Sequence, residues 1–437
     1  MVMLWGRSAG SEVEVVIVGG GIAGLSTAYA LHERGVSCVV IERGLVCGQG
    51  ATAAAQHGHV YAPDGEADAL RSESLEIYKR LEDEHGVGLE VKGAATICED
   101  GRETELFAVY NSIASHPLPG TRFVASQEGI YSSASGVAVD SGAASAEPCR
   151  VLEAMRRRAV VWERSEVFRL ERKAHRWEVG VDRNGSRVVV KPRAIVLALG
   201  IWRNEFSRQH LPGLATRDVF AVAGQTATYR VDRNVSGMSV FYYGRGSLAK
   251  KLAASSYFLT HDIDGKVRAT YAYAKARGNL LAVGTRRQPL ASPEACDALQ
   301  FDDDLHAAAT RSVFRALGVS DNNDNNRAVI HRDVACFPVI SPSGTVRAAR
   351  LETRLYELNG LAGGGIARAP AAAARLADLI TTDLRGACGL DDEEARPLPA
   401  KNRTKRDGDE SSLARLVSRA SALRAELGVK EDPRGVR

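Results

Sequence analysis

Cysteine is scarce in this 437-residue chain. The seven present (Cys38, Cys47, Cys98, Cys149, Cys296, Cys336 and Cys388) are odd in number and scattered, and no two form a CxxC pair. That argues against a disulfide scaffold or a zinc ribbon, leaves no metal to expect, and makes a reducing, intracellular compartment the expectation. Long apolar runs are missing too, and none approaches the ~18 residues of a spanning helix, so a soluble protein is expected. The apolar run at 13–18 is too short for a secretory leader. Nor does one sign of charge dominate: 57 Lys and Arg against 53 Asp and Glu leave +4, with the signs interspersed. No basic stripe marks a nucleic-acid binder. What remains is an ordinary globular composition, 45% hydrophobic and 25% charged, long enough for two or three domains of roughly 150 residues. Glycine is the abundant residue: 42 copies, clustered at a few places.

The opening pattern is strand, glycine turn, helix, strand. Residues 14–18 are largely β-branched, as in a buried parallel strand. A helix is predicted over 22–34 with Gly35 as its stop, then a strand over 36–41 ending at Glu42. Further helices are expected at 68–84, 149–160, 302–318 and after 363–365, the last with Pro370 near its first turn. Strands are expected at 91–97, 167–170, 177–181, 188–190, 194–199 and 355–358. The stretch 102–130 reads as irregular and 321–326 as a polar loop. Residues 216–290 are rich in short strand-like stretches, at 219–222, 226–231, 239–243, 267–273 and 280–283. From about 386 the composition turns to charged linker, acidic at 391–394 and basic at 401–406. A last helix at 411–427 carries an apolar stripe; it reads as docked on its own domain or as a contact for a protein partner or membrane surface.

Gly19-x-Gly21-x-x-Gly24 lies between a predicted strand and a predicted helix, and that context gives the pattern its force. Gly19 permits the sharp turn, Gly21 lets backbone approach a pyrophosphate, and Gly24 lets helix and strand pack closely. The helix N-terminus, with Ile22 and Ala23 in its first turn, offers free N–H groups and a partial positive charge. Glu42, at the end of the second strand, is placed to accept hydrogen bonds from ribose hydroxyls and disfavours a 2′-phosphate. Gly363-x-Gly365-x-x-Arg368 fails as a second fingerprint at its third position, so one dinucleotide, not two, is expected.

Residues 15–31 with 39–43, Gly50–Gly58, 194–202 and 360–370 resemble, in that order, the FAD segments of the D-amino-acid oxidase and sarcosine/glycine oxidase superfamily. Gly224-Gln225 is similar to that family's entry into its substrate domain. The resemblance implies an α/β fold: a Rossmann-like FAD-binding domain interleaved with an antiparallel β-sheet substrate domain, plus a charged C-terminal tail with a helix. The implied parts are 11–90, 133–215 and 328–386 for FAD, 91–132 and 216–327 for the roof over the flavin, and 387–437 for the tail. It implies FAD contacts at Gly19, Gly21, Ile22, Ala23, Gly24, Glu42, Arg43, Ala51, Thr52, Gln56, Gly58, Val167, Gly200, Trp202, Gly363, Gly364, Gly365 and Ile366.

The resemblance further implies oxidation of a C–N bond in a small-molecule amine or amino acid, with hydride passing to flavin N5 and O₂ or an electron carrier as acceptor. Family members grip a substrate carboxylate with an arginine; here Cys336 or Phe337 stands in its place, and Arg332 is the substitute, with Tyr243 among the roof candidates. His57 and His59 flank Gly58 beside the expected flavin ring. A covalent flavin bond at His57, a hydrogen bond from either imidazole to flavin or substrate, and a merely structural role all stay open, with non-covalent FAD the default. Arg368 either meets the pyrophosphate or projects outward. The competing reading is a degenerate flavoprotein kept for assembly without amino-acid oxidase activity; an amine carried on a larger molecule such as tRNA is a third, which the near-neutral charge does not support.

Overall fold

The computed structural model describes residues 13–47, 58–61, 69–98, 122–124, 137–173, 176–214, 219–231, 239–243, 260–263, 266–269, 271–277, 279–290, 298–317, 328–340, 346–361 and 364–386, with 293, 295 and 319. His57, Ala51, Thr52, Gln56, Gly363 and the tail from 387, including 411–427, lie outside them. The helices α1 Ile22–His32, α2 Ala69–His85, α3 Pro148–Arg156, α4 Arg203–His210, α5 Asp303–Ala316 and α6 Gly365–Arg385 are the α-helices among the described residues.

A six-stranded sheet runs in the order Arg347–Glu352, Leu355–Asn359, Ala194–Leu197, Val15–Val18, Cys38–Ile41, Val160–Trp162. Five strands are parallel and the first is an antiparallel edge. Strand alternation sorts its side chains into two cores. Val15, Ile17, Val40 and Val196 join Leu25, Leu152, Ala373 and Leu376 of α1, α3 and α6. Val16, Val18, Val39 and Ile195 face the other way, against Trp177 and Val179 of the meander Ser165–Lys173, Arg176–Arg183, Ser186–Val190. With both faces covered, the central strands Val15–Val18, Cys38–Ile41 and Ala194–Leu197 need no polar side, which is why they read as unbroken apolar runs.

The second layer is an eight-stranded sheet: Ala328–Ile340, Val219–Arg230, Leu280–Leu290, Tyr271–Arg277, Ser239–Tyr243, Ala94–Cys98, Val137–Asp140, Arg122–Val124. It is antiparallel except where Ser239–Tyr243 meets Ala94–Cys98. One face is closed by α5, whose Leu305, Ala309 and Val313 pack on Ala227, Tyr229, Val240 and Val283. Thr96, Phe241 and Thr226, on the opposite face by alternation, are buried as well. The α5 N-terminus is capped by Asp302, whose side chain accepts from Leu305 N–H at 3.0 Å.

Several expectations are corrected. Residues 328–340 and 137–140, assigned from sequence to the nucleotide-binding part, are strands of the eight-stranded sheet; Ala328–Ile340 pairs with Val219–Arg230 along nearly its whole length. Residues 219–222 and 226–231 form one strand across a bulge beside Gly224. The helix expected to 160 ends at Arg156, because the β-branched Val160 and Val161 add an edge strand beside Cys38–Ile41. The strand Arg122–Val124 lies within the stretch read as irregular. Cys47 and Cys149 form one disulfide, Cα atoms 5.5 Å apart across 102 residues of sequence, which the cysteine spacing did not foretell. No helix among the described residues is long and apolar enough to cross a membrane, and no group of metal-ligating side chains occurs among them.

Candidate functional site

Four parallel strands of the first sheet end at one edge, where Gly19, Glu42 and Gly200 follow three of them and Asn359 is the last residue of the fourth. Ligands of open α/β sheets bind outside such carboxyl ends. Gly19 takes φ +108°, and a Cβ there would meet the Ala198 carbonyl, so no other residue fits without displacing the neighbouring strand. A Cβ on Gly24 would overlap the Gly19 carbonyl, which is the close helix–strand approach the fingerprint requires. Gly21 is the extended N-cap of α1 and brings no side-chain cap.

Glu42 Oε2 accepts from Gly20 N–H and Oε1 from Gly44 N–H, each at 2.7 Å. These bonds lock the carboxylate against the glycine turn and leave further lone pairs for ribose hydroxyls. Next along the chain, the Arg43 guanidinium lies 4.6 Å over the Trp202 ring. Trp202 closes the short 3-10 turn Gly200–Trp202, and Asn359 Nδ2 donates to the Gly200 carbonyl at 3.0 Å, tying the third glycine segment to the last strand.

The N-terminus of α6 comes up beside that of α1: a Cβ on Gly365 would stand 3.5 Å from Ile22 Cγ2. Neither helix has an acidic residue in its first turn or a side-chain cap. Two positive helix ends, each worth roughly half an elementary charge, thus flank the glycine turn. Tight glycine turn, locked acid and paired helix ends together fit the pyrophosphate and ribose of a dinucleotide. The residues that could hold a dinucleotide in this arrangement are Gly19 to Gly24, Glu42, Arg43, Trp202 and Gly364 to Ile366.

The remaining expected residues are placed as follows. Gly58 and His59 open the strand Gly58–Tyr61, paired with Ala146 and Ser145. Val167 packs its side chain into the apolar layer beneath the meander, so only its backbone is left for a ligand. Tyr243 ends its strand opposite Cys98 and Tyr271, on the same alternation as Phe241. Arg332 is corrected. It pairs with Ala227 and so lies on the α5 face, where Nη1 meets Asp303 Oδ1 at 2.9 Å and the guanidinium lies 5.1 Å from the Phe301 ring. It is turned away from the face that Thr226 and Phe241 share.

Sequence reasoning missed a buried charge network. Arg203, at the start of α4, puts Nε 3.0 Å from Glu357 Oε1, and Arg347 Nε is 3.2 Å from Oε2. It also missed Asn359, for which the Asn-Gly turn signal was available, and the Cys47–Cys149 bridge, for which no signal was.

The chain matches the family described as "DAO: FAD dependent oxidoreductase" over residues 14–379. The structure of L-proline dehydrogenase from P. horikoshii superposes with a TM-score of 0.67 at 18% identity, covering 85% of this chain and 94% of that one. Glycine oxidase from Bacillus cereus ATCC 14579 gives 0.63 at 17% identity, covering 85% and 95%. At such identities the likeness is one of fold. Monooxygenase 1 of Arabidopsis thaliana is 62% identical over 32 residues, 7% of this chain and only 8% of that protein's length. Because the family match spans most of the chain and takes in each glycine segment of the site, the chain belongs to the DAO family of FAD-dependent oxidoreductases.

Proposed function

We propose that this protein oxidises a C–N bond of a small amine or amino acid. Bound FAD supplies the two-electron chemistry, taking a hydride from the carbon that bears nitrogen. The observation that carries the reading is the pair of uncapped, acid-free helix N-termini beside the fingerprint turn. The α6 end holds negative charge through its first-turn N–H groups, Gly365 and Ile366. Glu42 and the Arg43–Trp202 stack hold the adenosine end. The face of the eight-stranded sheet opposite α5, with Tyr243 at its register position, roofs the substrate and excludes water. The amine binds neutral, so no side-chain base is required. FAD is held non-covalently. That an L-proline dehydrogenase and a glycine oxidase share the fold supports an amine substrate. A role in assembly alone is not favoured, because the dinucleotide machinery is intact.

Purified protein is expected to show flavin absorption bands. Anaerobic addition of D-amino acids, N-methyl amino acids and carboxylate-free amines in turn should bleach them with at least one class. Full flavin loading with no bleaching by any class would overturn the reading. Acid precipitation should release all colour to the supernatant; colour kept in the pellet would instead place a covalent bond, with His57 the residue to substitute. Oxygen uptake during turnover separates O₂ from an electron carrier as acceptor.

A further inference from the structure

The apolar layer beneath the meander is interrupted at one place by charge. Leu355 lies in that layer, and so does Leu197, the register partner of Glu357. By alternation Glu357 and Asn359 take the same side as Leu355, and each is 1% exposed. An apolar residue would continue the pattern, so a carboxylate there needs a reason. Its partners are the fully buried Arg203, Nε to Oε1 at 3.0 Å, and Arg347, Nε to Oε2 at 3.2 Å. Stability does not supply the reason. Taking both charges out of water offsets much of their attraction, and well-packed apolar replacements are often as stable. What the pair does supply is position. Arg203 directly follows the 3-10 turn Gly200–Trp202, and at the other end of that turn the Gly200 carbonyl accepts from Asn359 Nδ2 at 3.0 Å. Glu357 and Asn359 thus grip the two ends of a turn that has no buried residue of its own. Trp202, held between the grips, stacks under the Arg43 guanidinium.

We propose that Glu357 is a positioning residue for the adenosine half of the FAD site: through Arg203, and together with Asn359, it fixes the turn that carries Trp202. The buried ion pair serves placement rather than stability. The inference rests on the cofactor contacts proposed above and not on the amine substrate, so it can fail while the proposed reaction stands.

The test replaces both charges at once, Arg203→Met with Glu357→Leu, so that neither is left buried against an apolar partner. Each protein is stripped of flavin and refilled. Quenching of flavin fluorescence gives the FAD Kd, ADP displacement gives affinity for the adenosine diphosphate half, and thermal melting reports stability. The double variant is expected to melt close to wild type yet to bind FAD and ADP about tenfold more weakly, in parallel. In a Trp202→Ala background the same double change should weaken FAD binding by less than about twofold more, because the contact that the turn positions is already gone. Asn359→Ala releases the other end of the turn without touching a charge and should show the same parallel loss; it decides the matter if the double variant melts far lower or does not fold. The proposal is overturned if the folded double variant, or in its place folded Asn359→Ala, binds FAD and ADP as wild type does. It is overturned as well if FAD weakens while ADP does not, or if the losses from Trp202→Ala and the double change add in full. Wild-type protein that takes up no FAD would overturn this inference and the proposed reaction together.

Discussion

Two buried titratable side chains give opposite pH signatures, and neither touches the nucleotide site. His306 on α5 is 4% exposed, with ring centroids of Tyr229 at 5.8 Å and Phe301 at 4.8 Å. Burial, and secondarily the nearby Arg332, hold its pKa down from 6.5 to about 4, against the pull of Asp303. The unfolded chain therefore binds this proton first, and stability falls as pH drops from about 6.5 toward about 4. His306→Phe should remove about 2 kcal/mol of the stability lost between neutrality and pH ~5, read from denaturant midpoints. An unaltered acid slope in the variant would refute this. Asp140 runs the other way. Burial raises its carboxyl from 3.8 to about 6 although Gly142 N–H donates to Oδ1 at 2.8 Å. The folded state keeps that proton to higher pH, so stability is lost as pH rises from 3.8 to about 6. Asp140→Asn keeps an acceptor for Gly142 and should stabilise the protein at pH ~7 by about 1–2 kcal/mol while changing little at pH ~4. Arg332→Ala breaks an exposed ion pair worth at most about 1 kcal/mol. Stopped-flow bleaching should show unchanged KM for carboxylate substrates; a large rise would return Arg332 to the substrate site.

At the scale of elements, α6 shows how the site's geometry is held from a distance. Pro370 lies inside the helix and cannot donate to the Ile366 carbonyl one turn back. Tyr78 of α2, fully buried, donates its hydroxyl to that carbonyl at 2.8 Å, and one turn earlier Ser74 Oγ accepts from Ala371 N–H at 3.1 Å. Two side chains at i and i+4 on α2 thus stitch the break in α6 whose first turn faces the cofactor. Tyr78→Phe leaves a buried carbonyl without its donor and should cost about 1–3 kcal/mol, seen in thermal melts. FAD affinity should fall with it, because Ile366 is among the proposed cofactor contacts; equal affinity would show that the break does not reach the site. This is also where legibility from sequence ends. The helices at 22–34 and 68–84 carry apolar periodicity and the strand at 14–18 an apolar run, and the structure reproduces them, with the short strand at 355–358, within a few residues. Gly19 and Glu42 were legible because a local turn and its neighbouring strand demand those residue types. Tyr78 was not, since its partner lies 288 residues away. Arg332 was misread because Ala328–Ile340 carries no clean alternation, and only its register with Ala227 tells which face the side chain takes.

At the scale of the whole molecule, the loop that follows Cys38–Ile41 is held to the rest of its layer by backbone bonds of Glu42 and Gly44 to residues 162–165 and, beyond these, by two side-chain ties. In one, Val46 N–H donates to Glu163 Oε1 at 2.8 Å while Arg156 of α3 grips both oxygens of Glu163, at 3.1 and 3.0 Å. The other is the Cys47–Cys149 disulfide, which joins the same loop to the first turn of α3. Scattered cysteine spacing gave no warning of it, because only the packing of α3 beside α1 brings the two together. A bridge closing a loop of about 100 residues restricts the unfolded chain strongly, and measured bridges contribute about 2–4 kcal/mol. Cys47→Ser should therefore lower stability by that amount. The same loop carries Glu42 and Arg43, so dithiothreitol should both lower the melting temperature of the wild type and speed release of FAD. Cys149→Ser should already melt low and respond no further to reductant. If both thiols become titratable under reductant while melting temperature and FAD retention stay fixed, the remaining ties hold the loop, and the bridge is dispensable to it.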